Sequence, residues 1–187
     1  MSQLATKIYE GFSVSHAAIL NGTTGAEEAD IYGVRSGTIA ADTGNFDNTG
    51  DDFVLSSWFW LNFATLTIES GYVPFETVAL LSGETLTSSG GAAGTLELDL
   101  WSEDSVNQPP RPVLIRVPSK DSDGNIRNMD FILYKVQFGP INFTGPSYKS
   151  GLLLNYTGRA VVSDKNEKGE TLPGGKKAIG RIINRPA

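Results

Sequence analysis

Apolar and polar residues alternate along most of this chain with a period of two, the spacing of strands whose faces differ. The longest such run is Phe53 to Glu69, with Trp58, Trp60, Ala64, Leu66 and Ile68 on one face and Phe59, Leu61, Phe63, Thr65, Thr67 and Glu69 on the other. Its first half is apolar on both faces, which predicts a strand covered on both sides, within the domain or by another subunit. Leu96, Leu98 and Leu100 alternate with Glu97, Asp99 and Trp101, predicting a strand with its leucines inward. Val113, Ile115 and Val117 share a face of another, and Met129 to Phe138 is apolar apart from Asp130, Lys135 and Gln137. The last long strand runs from Leu152 to Val162, with Leu152, Leu154, Tyr156, Ala160 and Val162 on one face and Asn155, Thr157 and Arg159 on the other. Ile31 to Ala40 predicts a further strand, weakened by Gly33 and Gly37.

One segment breaks this rhythm. Between Val73 and Gly83, Phe75, Val78 and Ala79 form an i, i+3, i+4 stripe that Leu80 or Leu81 extends. Pro74 suits a first helical turn, Glu76 lies near the positive end of the helix dipole, and Gly83 can end the helix. About two turns do not persist alone in water, so this helix is expected to lie on a sheet. Asp121-Ser-Asp-Gly-Asn125 predicts a hairpin turn. Residues 42–52 and 87–94 read as loops, Gln108–Pro112 as an extended link, Gly139–Pro146 as a break and Asp164–Glu170 as a polar tip. Residues 1–28 read as an arm or irregular lead-in. The expected organisation is one all-β domain with one short helix over 1–187: an N-terminal arm (1–28), a β core (29–172) and a basic C-terminal arm (173–187).

Composition narrows the function classes. At 187 residues the chain is long enough for a substantial core, yet only 19% of it is charged, against roughly a quarter in an average domain. With 21 glycines, that points to backbone covered by strands or a partner. Cysteine is absent, removing disulfides and thiolate chemistry together. No run approaches the roughly 18 apolar residues of a membrane span, and Met1-Ser-Gln-Leu-Ala does not open a signal peptide. No membrane insertion is therefore expected, and assembly in a reducing cytoplasm fits. The net charge of −6 is uneven: Lys176, Lys177, Arg181 and Arg185 give the last twelve residues +4, leaving −10 on the rest. An acidic body is poorly suited to gripping nucleic acid, whereas its basic tail suits an acidic neighbour of the same kind.

No catalytic or cofactor motif competes. His16 is the single histidine, so any serine triad would have to use it, and a multi-histidine metal site is excluded. Asp121-x-Asp-x-Asn125 begins like a calcium loop, but Ile126 and Ile132 stand where glycine and glutamate are needed. Gly90–Gly94 lacks the Lys-Ser/Thr of a phosphate loop. Glu97 and Asp99 could serve as paired carboxylates of a hydrolase, but a solvated acidic face is the better account of them. Trp58, Trp60 and Trp101 leave open a carbohydrate-binding β-sandwich, such as a receptor-binding or adhesin module. No enzyme activity, cofactor or metal is expected.

Three phrases carry a resemblance: Val73-Pro-Phe-Glu-Thr-Val-Ala-Leu-Leu-Ser-Gly83 after the aromatic strand, Tyr134-Lys-Val-Gln-Phe138, and Gly158-Arg-Ala-Val-Val-Ser-Asp164 with its Lys-Gly-Glu tip. Over roughly residues 30–172 the chain resembles the major tail protein, or tail tube protein, of long-tailed non-contractile bacteriophages, particularly those of actinobacteria. The resemblance implies two packed antiparallel sheets flanked by a helix. It implies rings, usually hexameric, whose inner strands close a β-barrel, stacked through loops and arms into a virion tube for genome ejection. That fold is similar to the tube protein of type VI secretion. The implied partners are further copies of the chain, tape-measure and tail-tip or terminator proteins, and DNA in passing. Within that frame Glu69, Glu97, Asp99 and Asp130 are candidate acidic groups lining the bore. Asp47, Thr87, Lys165, Glu167, Lys176, Lys177 and Arg181 are candidate ring-to-ring contacts, drawn from segments 42–52, 84–94 and 164–187. A terminator or connector ring protein is the nearest alternative.

Overall fold

The computed structural model describes residues 9–11, 14–50, 53–72, 74–89, 94–99, 108–145 and 153–186, with side chains throughout except at 9–11 and 45–60. The chain is mostly β, with one large antiparallel sheet, a second small sheet and one short helix among these residues. In order the elements are β1 (Tyr9–Gly11), β2 (His16–Leu20), β3 (Glu27–Ile31), β4 (Val34–Gly50), β5 (Phe53–Ser70), α1 (Phe75–Ser82), β6 (Leu86–Ser89) and β7 (Thr95–Leu98). They continue with β8 (Arg111–Asp121), β9 (Ile126–Phe138), β10 (Asn142–Thr144), β11 (Leu153–Val161) and β12 (Gly180–Pro186). The large sheet runs β3-β2-β8-β9-β11-β5-β4; β1 joins β8, β10 joins β11 and β12 joins β9, while β6 and β7 pair separately. No helix among the described residues is long and apolar enough to cross a membrane.

The large sheet turns on β9. Along one edge β9 pairs with β8; along the other its first half pairs with β12 and its last residues, Val136–Phe138, with β11. Between the two, the β8 ladder slips, so that Arg111 faces Val136 while Val113 faces Leu133. An extra residue bends a strand and resets which side chains face inward. Leu133 and Val136 consequently reach the same core although three residues apart. That core gathers Ile19 of β2, Leu66 of β5, Ile115 of β8 and Tyr156 of β11, residues from both arms of the sheet. The sheet is thus folded over one shared interior.

Period-two reading holds where β5 and β11 pair. Ala64, Leu66 and Ile68 are buried opposite Ala160, Gly158 and Tyr156, with the intervening positions outward. The Tyr156 hydroxyl ends in this apolar interior with no hydrogen-bond partner among the described residues, and burial raises its pKa. A buried hydroxyl without a partner is destabilising. Tyr156→Phe is therefore expected to raise stability by about 1 kcal/mol. A denaturation midpoint lowered in the variant would show that the hydroxyl does have a partner.

The helix forms as its sequence requires. Pro74 precedes it as an extended N-cap and Gly83 ends it in the left-handed region. Val78, Ala79 and Leu81 are buried, while Phe75 stays partly exposed. Thr77 anchors the helix by donating to the Asp30 carbonyl of β3 at 2.8 Å. The Asp121–Asn125 turn joins β8 to β9, with the Asp121 carboxylate accepting from the backbone amides of Asp123 (3.0 Å) and Asn125 (2.9 Å).

Three expectations are corrected. Residues 16–20 are no lead-in: β2 lies between β3 and β8, with Ala17, Ala18 and Ile19 fully buried. Leu96 is 45% exposed and Leu98 only partly buried, because the described residues do not cover the small β6–β7 sheet fully. The stretch 108–112 is no mere link, since Arg111 and Pro112 open β8, with Pro112 at the ladder irregularity that tolerates it.

The basic C-terminal arm is folded onto its own subunit. After a 3-10 turn at Pro173–Gly175, β12 pairs antiparallel with β9 from Gly180↔Leu133 to Pro186↔Arg127. Leu172, Ala178 and Ile183 cover a second apolar cluster of Leu20, Leu114, Ile132 and Tyr134 on the outside of the sheet. Gly180 lies so close to Ile132 that a β-carbon would collide with its carbonyl oxygen. Gly180→Val is expected to peel β12 from β9 at a cost of about 1–3 kcal/mol. Hydrogen exchange should show lost protection over Arg127–Leu133 and intact protection in β5 and β11.

Candidate assembly surfaces

An antiparallel sheet that does not close leaves two edges, and each edge is a template for another chain unless something blunts it. Here the ends of the main strand order are β3 and β4, while the shorter β1, β10 and β12 branch from β8, β11 and β9. β3 is short and acidic: Glu27, Glu28 and Asp30 line it, Arg111 pairs with Glu28 at 2.8 Å, and α1 is bonded to its backbone. Such an edge is protected. β4 is the opposite: a seventeen-residue edge strand whose one partner among the described residues is β5.

The β4–β5 ladder also runs past the rest of the sheet. It extends from Val34↔Ser70 to Gly50↔Phe53, but β11 accompanies β5 only from Phe63 to Ser70. Among the described residues, the stretch of β5 from Phe53 to Asn62 is therefore held by β4 alone. Ten residues at roughly 3.3 Å each make a two-stranded ribbon of about 30 Å. Residues 42–50, expected as loop, are its outer strand; pairing with the apolar Phe53–Leu61 run keeps them extended, and ladder slips at Asp42/Thr43 and Asn48/Thr49 absorb their irregular sequence. Asp47 stands opposite Ser57 on this ribbon. The side chains of Trp58 and Trp60, like all of Trp101, lie outside the described residues.

A second surface is the outward face of the β11–β5–β4 layer. It presents Ser36, Thr38, Thr65, Thr67, Asn155 and Thr157 around Glu69, which sits between Asn155 and Ser36. Asp42 and Arg159 are its other charges, and the Arg159 guanidinium lies over the Phe63 ring, 4.7 Å from its centroid. The face is polar and carries few charges.

The other candidate bore acids are not here. Glu97 and exposed Asp99 belong to β7 and the residue after it in the small sheet, bordering a cavity of about 200 Å³ with Glu84, Thr85 and Thr87. Thr87 is exposed and donates to the Glu97 carbonyl at 3.3 Å. Asp130 is 1% exposed on β9 and is removed from the bore set. Its carboxylate accepts from Arg116 Nε at 2.7 Å and Arg116 Nη2 at 3.1 Å, and Arg185 Nε lies 3.3 Å away. The four acids thus share no face.

The same holds for the C-terminal contact set. Glu167, 3% exposed, is paired with Arg181 of its own chain, so these two are engaged within the subunit. The basic arm does meet acids, as its charge implies, but Asp130 and Glu167 of the same molecule supply them. Lys165, Lys176 and Lys177 remain exposed and available. Sequence reasoning missed the ribbon and the pairing of buried Asp130 with Arg116 and Arg185; the first was foreshadowed by apolar residues on both faces of Phe53–Phe63, the second by a lone acid in an apolar strand. The chain matches no protein-family model and no curated protein.

Proposed function

We propose that this chain is a structural subunit that assembles with copies of itself into stacked rings, forming the tail tube through which a long-tailed bacteriophage ejects its genome. The observation that carries the proposal is the β4–β5 ribbon with its long, single-partnered edge. A two-stranded ribbon is marginal in water by itself, and a seventeen-residue edge that no other described residue covers invites pairing. A neighbouring copy that receives the ribbon removes both liabilities, and a closed ring removes them for every subunit at once. The family phrases at 73–83, 134–138 and 158–164 support the same reading.

In the proposed ring the outward face of the β11–β5–β4 layer lines the bore. Threonine, serine and asparagine with few cations give a duplex nothing to grip, since retention on phosphate needs a positive face. Glu69 and Asp42 are the acids that fit that position. Exposed Lys165, Lys176 and Lys177 and the β6–β7 hairpin with Thr87 are the remaining ring-to-ring candidates. Tape-measure and terminator proteins would meet the ends of the tube, and the role has no turnover.

Sedimentation velocity over rising protein concentration tests this. The expected result is conversion from a small species to one discrete large ring or to tubes. A single monomer boundary at every concentration, with and without a tape-measure protein, would overturn it.

A further inference from the structure

The outer face of β2–β3 gathers three metal-ligating side chains that the assembly reading does not use. β2 turns His16, Ala18 and Leu20 to that face. β3 carries a bulge, because Leu20 pairs with Glu27 while Ile19 pairs with Ala29, leaving Glu28 as the extra residue. In an unbroken strand Glu27 and Asp30, three apart, would point to opposite faces; the bulge brings both to the side of His16.

The resulting geometry is close to that of a coordination sphere. His16 Nε2 lies 3.3 Å from Glu27 Oε2 and 3.8 Å from Asp30 Oδ1, and all three donors fall within 4.8 Å of one another. A tetrahedral Zn²⁺ with bonds of about 2.0–2.1 Å holds its ligands roughly 3.3–3.5 Å apart, so small side-chain adjustments would complete the site. His16 Nε2 is shielded from solvent and has no hydrogen-bond partner among the described residues. That nitrogen faces two carboxylates without the alignment of a charged hydrogen bond, and a cation between them would supply what it lacks.

The surroundings carry both signs of charge. Arg116, opposite His16 on β8, spends two bonds on Asp130, while its charge still reaches Glu27 in the cavity they both line. The Asp30 carboxylate raises the pKa of the neighbouring Tyr32 phenol, which puts beside it the kind of outer group that can orient a ligand. We propose that His16, Glu27 and Asp30 form a binding site for a divalent transition cation, Zn²⁺ foremost, that pins β2 to β3. An imidazole with two carboxylates suits Zn²⁺ over Mg²⁺ or Ca²⁺, which prefer all-oxygen shells. The proposal is independent of the tube assignment.

The test uses the full untagged chain, stripped with chelator and titrated with ZnCl₂ or MgCl₂ in a calorimeter. One Zn²⁺ per chain is expected, with no comparable Mg²⁺ binding, and Glu27→Gln and Asp30→Asn should each weaken Zn²⁺ at least about tenfold. At a hundredfold excess over Kd the unfolding temperature should rise by roughly 5–10 °C. His16 is the only histidine, so a single set of imidazole NMR signals reports directly on it and should shift until one equivalent is added. Circular dichroism checks that the variants fold; the two carboxylates are 44% and 35% exposed. Absence of saturable one-to-one binding, unchanged affinity in both variants, or an unmoved imidazole would each overturn the site.

Discussion

Replacing Asn45–Phe59 with a two-residue Asn-Gly turn is expected to yield a folded monomer that no longer assembles. The cut falls where Gly44 pairs with Trp60, so the remaining ladder still holds Ala41↔Ala64, Ile39↔Leu66 and Gly37↔Ile68. Pairing of β11 with Phe63–Ser70 is untouched, as are the buried residues Ala64, Leu66 and Ile68. What disappears is most of the stretch supported by β4 alone, Phe53–Phe59, together with the part of the open edge that faces it. Thermal unfolding should therefore stay within a few degrees of the parent. The concentration needed for assembly should rise at least about a hundredfold, equivalent to roughly 2.7 kcal/mol per contact. Sedimentation and circular dichroism on the same samples separate the two effects. A shortened chain that assembles as readily as the full one would place the contact elsewhere.

The largest expected loss of stability comes from Arg116→Ala, at about 3 kcal/mol. Asp130 is 1% exposed, and Arg116 grips it through two bonds. Without that guanidinium the buried carboxylate keeps only Arg185, whose side chain is 53% exposed and 3.3 Å away. Removing one partner of a buried pair leaves an uncompensated charge, which is costlier than never having had the pair. For a chain of this size the unfolding temperature should fall by roughly 6–12 °C. Arg185→Ala, acting on the exposed partner, should cost under about 1 kcal/mol. The double change Arg116→Met with Asp130→Leu should cost less than Arg116→Ala alone, because no charge is left behind. Equal losses from the two arginine variants would refute this ranking.

What could be read in the sequence was local. The α1 boundaries followed from Pro74, the apolar stripe and Gly83; the β8–β9 turn followed from Asp-Gly; the buried face of β11 followed from period two. These features depend on residues within a few positions of each other. The features that escaped depend on distant partners. Ala17-Ala18-Ile19-Leu20 is too short and too alanine-rich to declare itself a central strand, and only β8 and β3 on either side make it one. Asp130 read as a solvent-facing acid because its partners lie fourteen and fifty-five positions away, brought near by the β8–β9 and β9–β12 pairings. The bend of β9 is set by a single extra residue that no composition signal marks. Residues 42–50 have turn chemistry, and a long apolar partner overrides it. For the assembly surface, apolar residues on both sides of Phe53–Phe63 were the legible sign; the direction in which the ribbon projects was not.

Negative-stain electron microscopy of the concentrated chain tests the central claim most directly. The account predicts rings and stacked tubes with one uniform bore, present for the full chain and missing when the ribbon is shortened. Dispersed globular particles under all assembly conditions, with the open β4 edge still accessible to exchange in each, would contradict it.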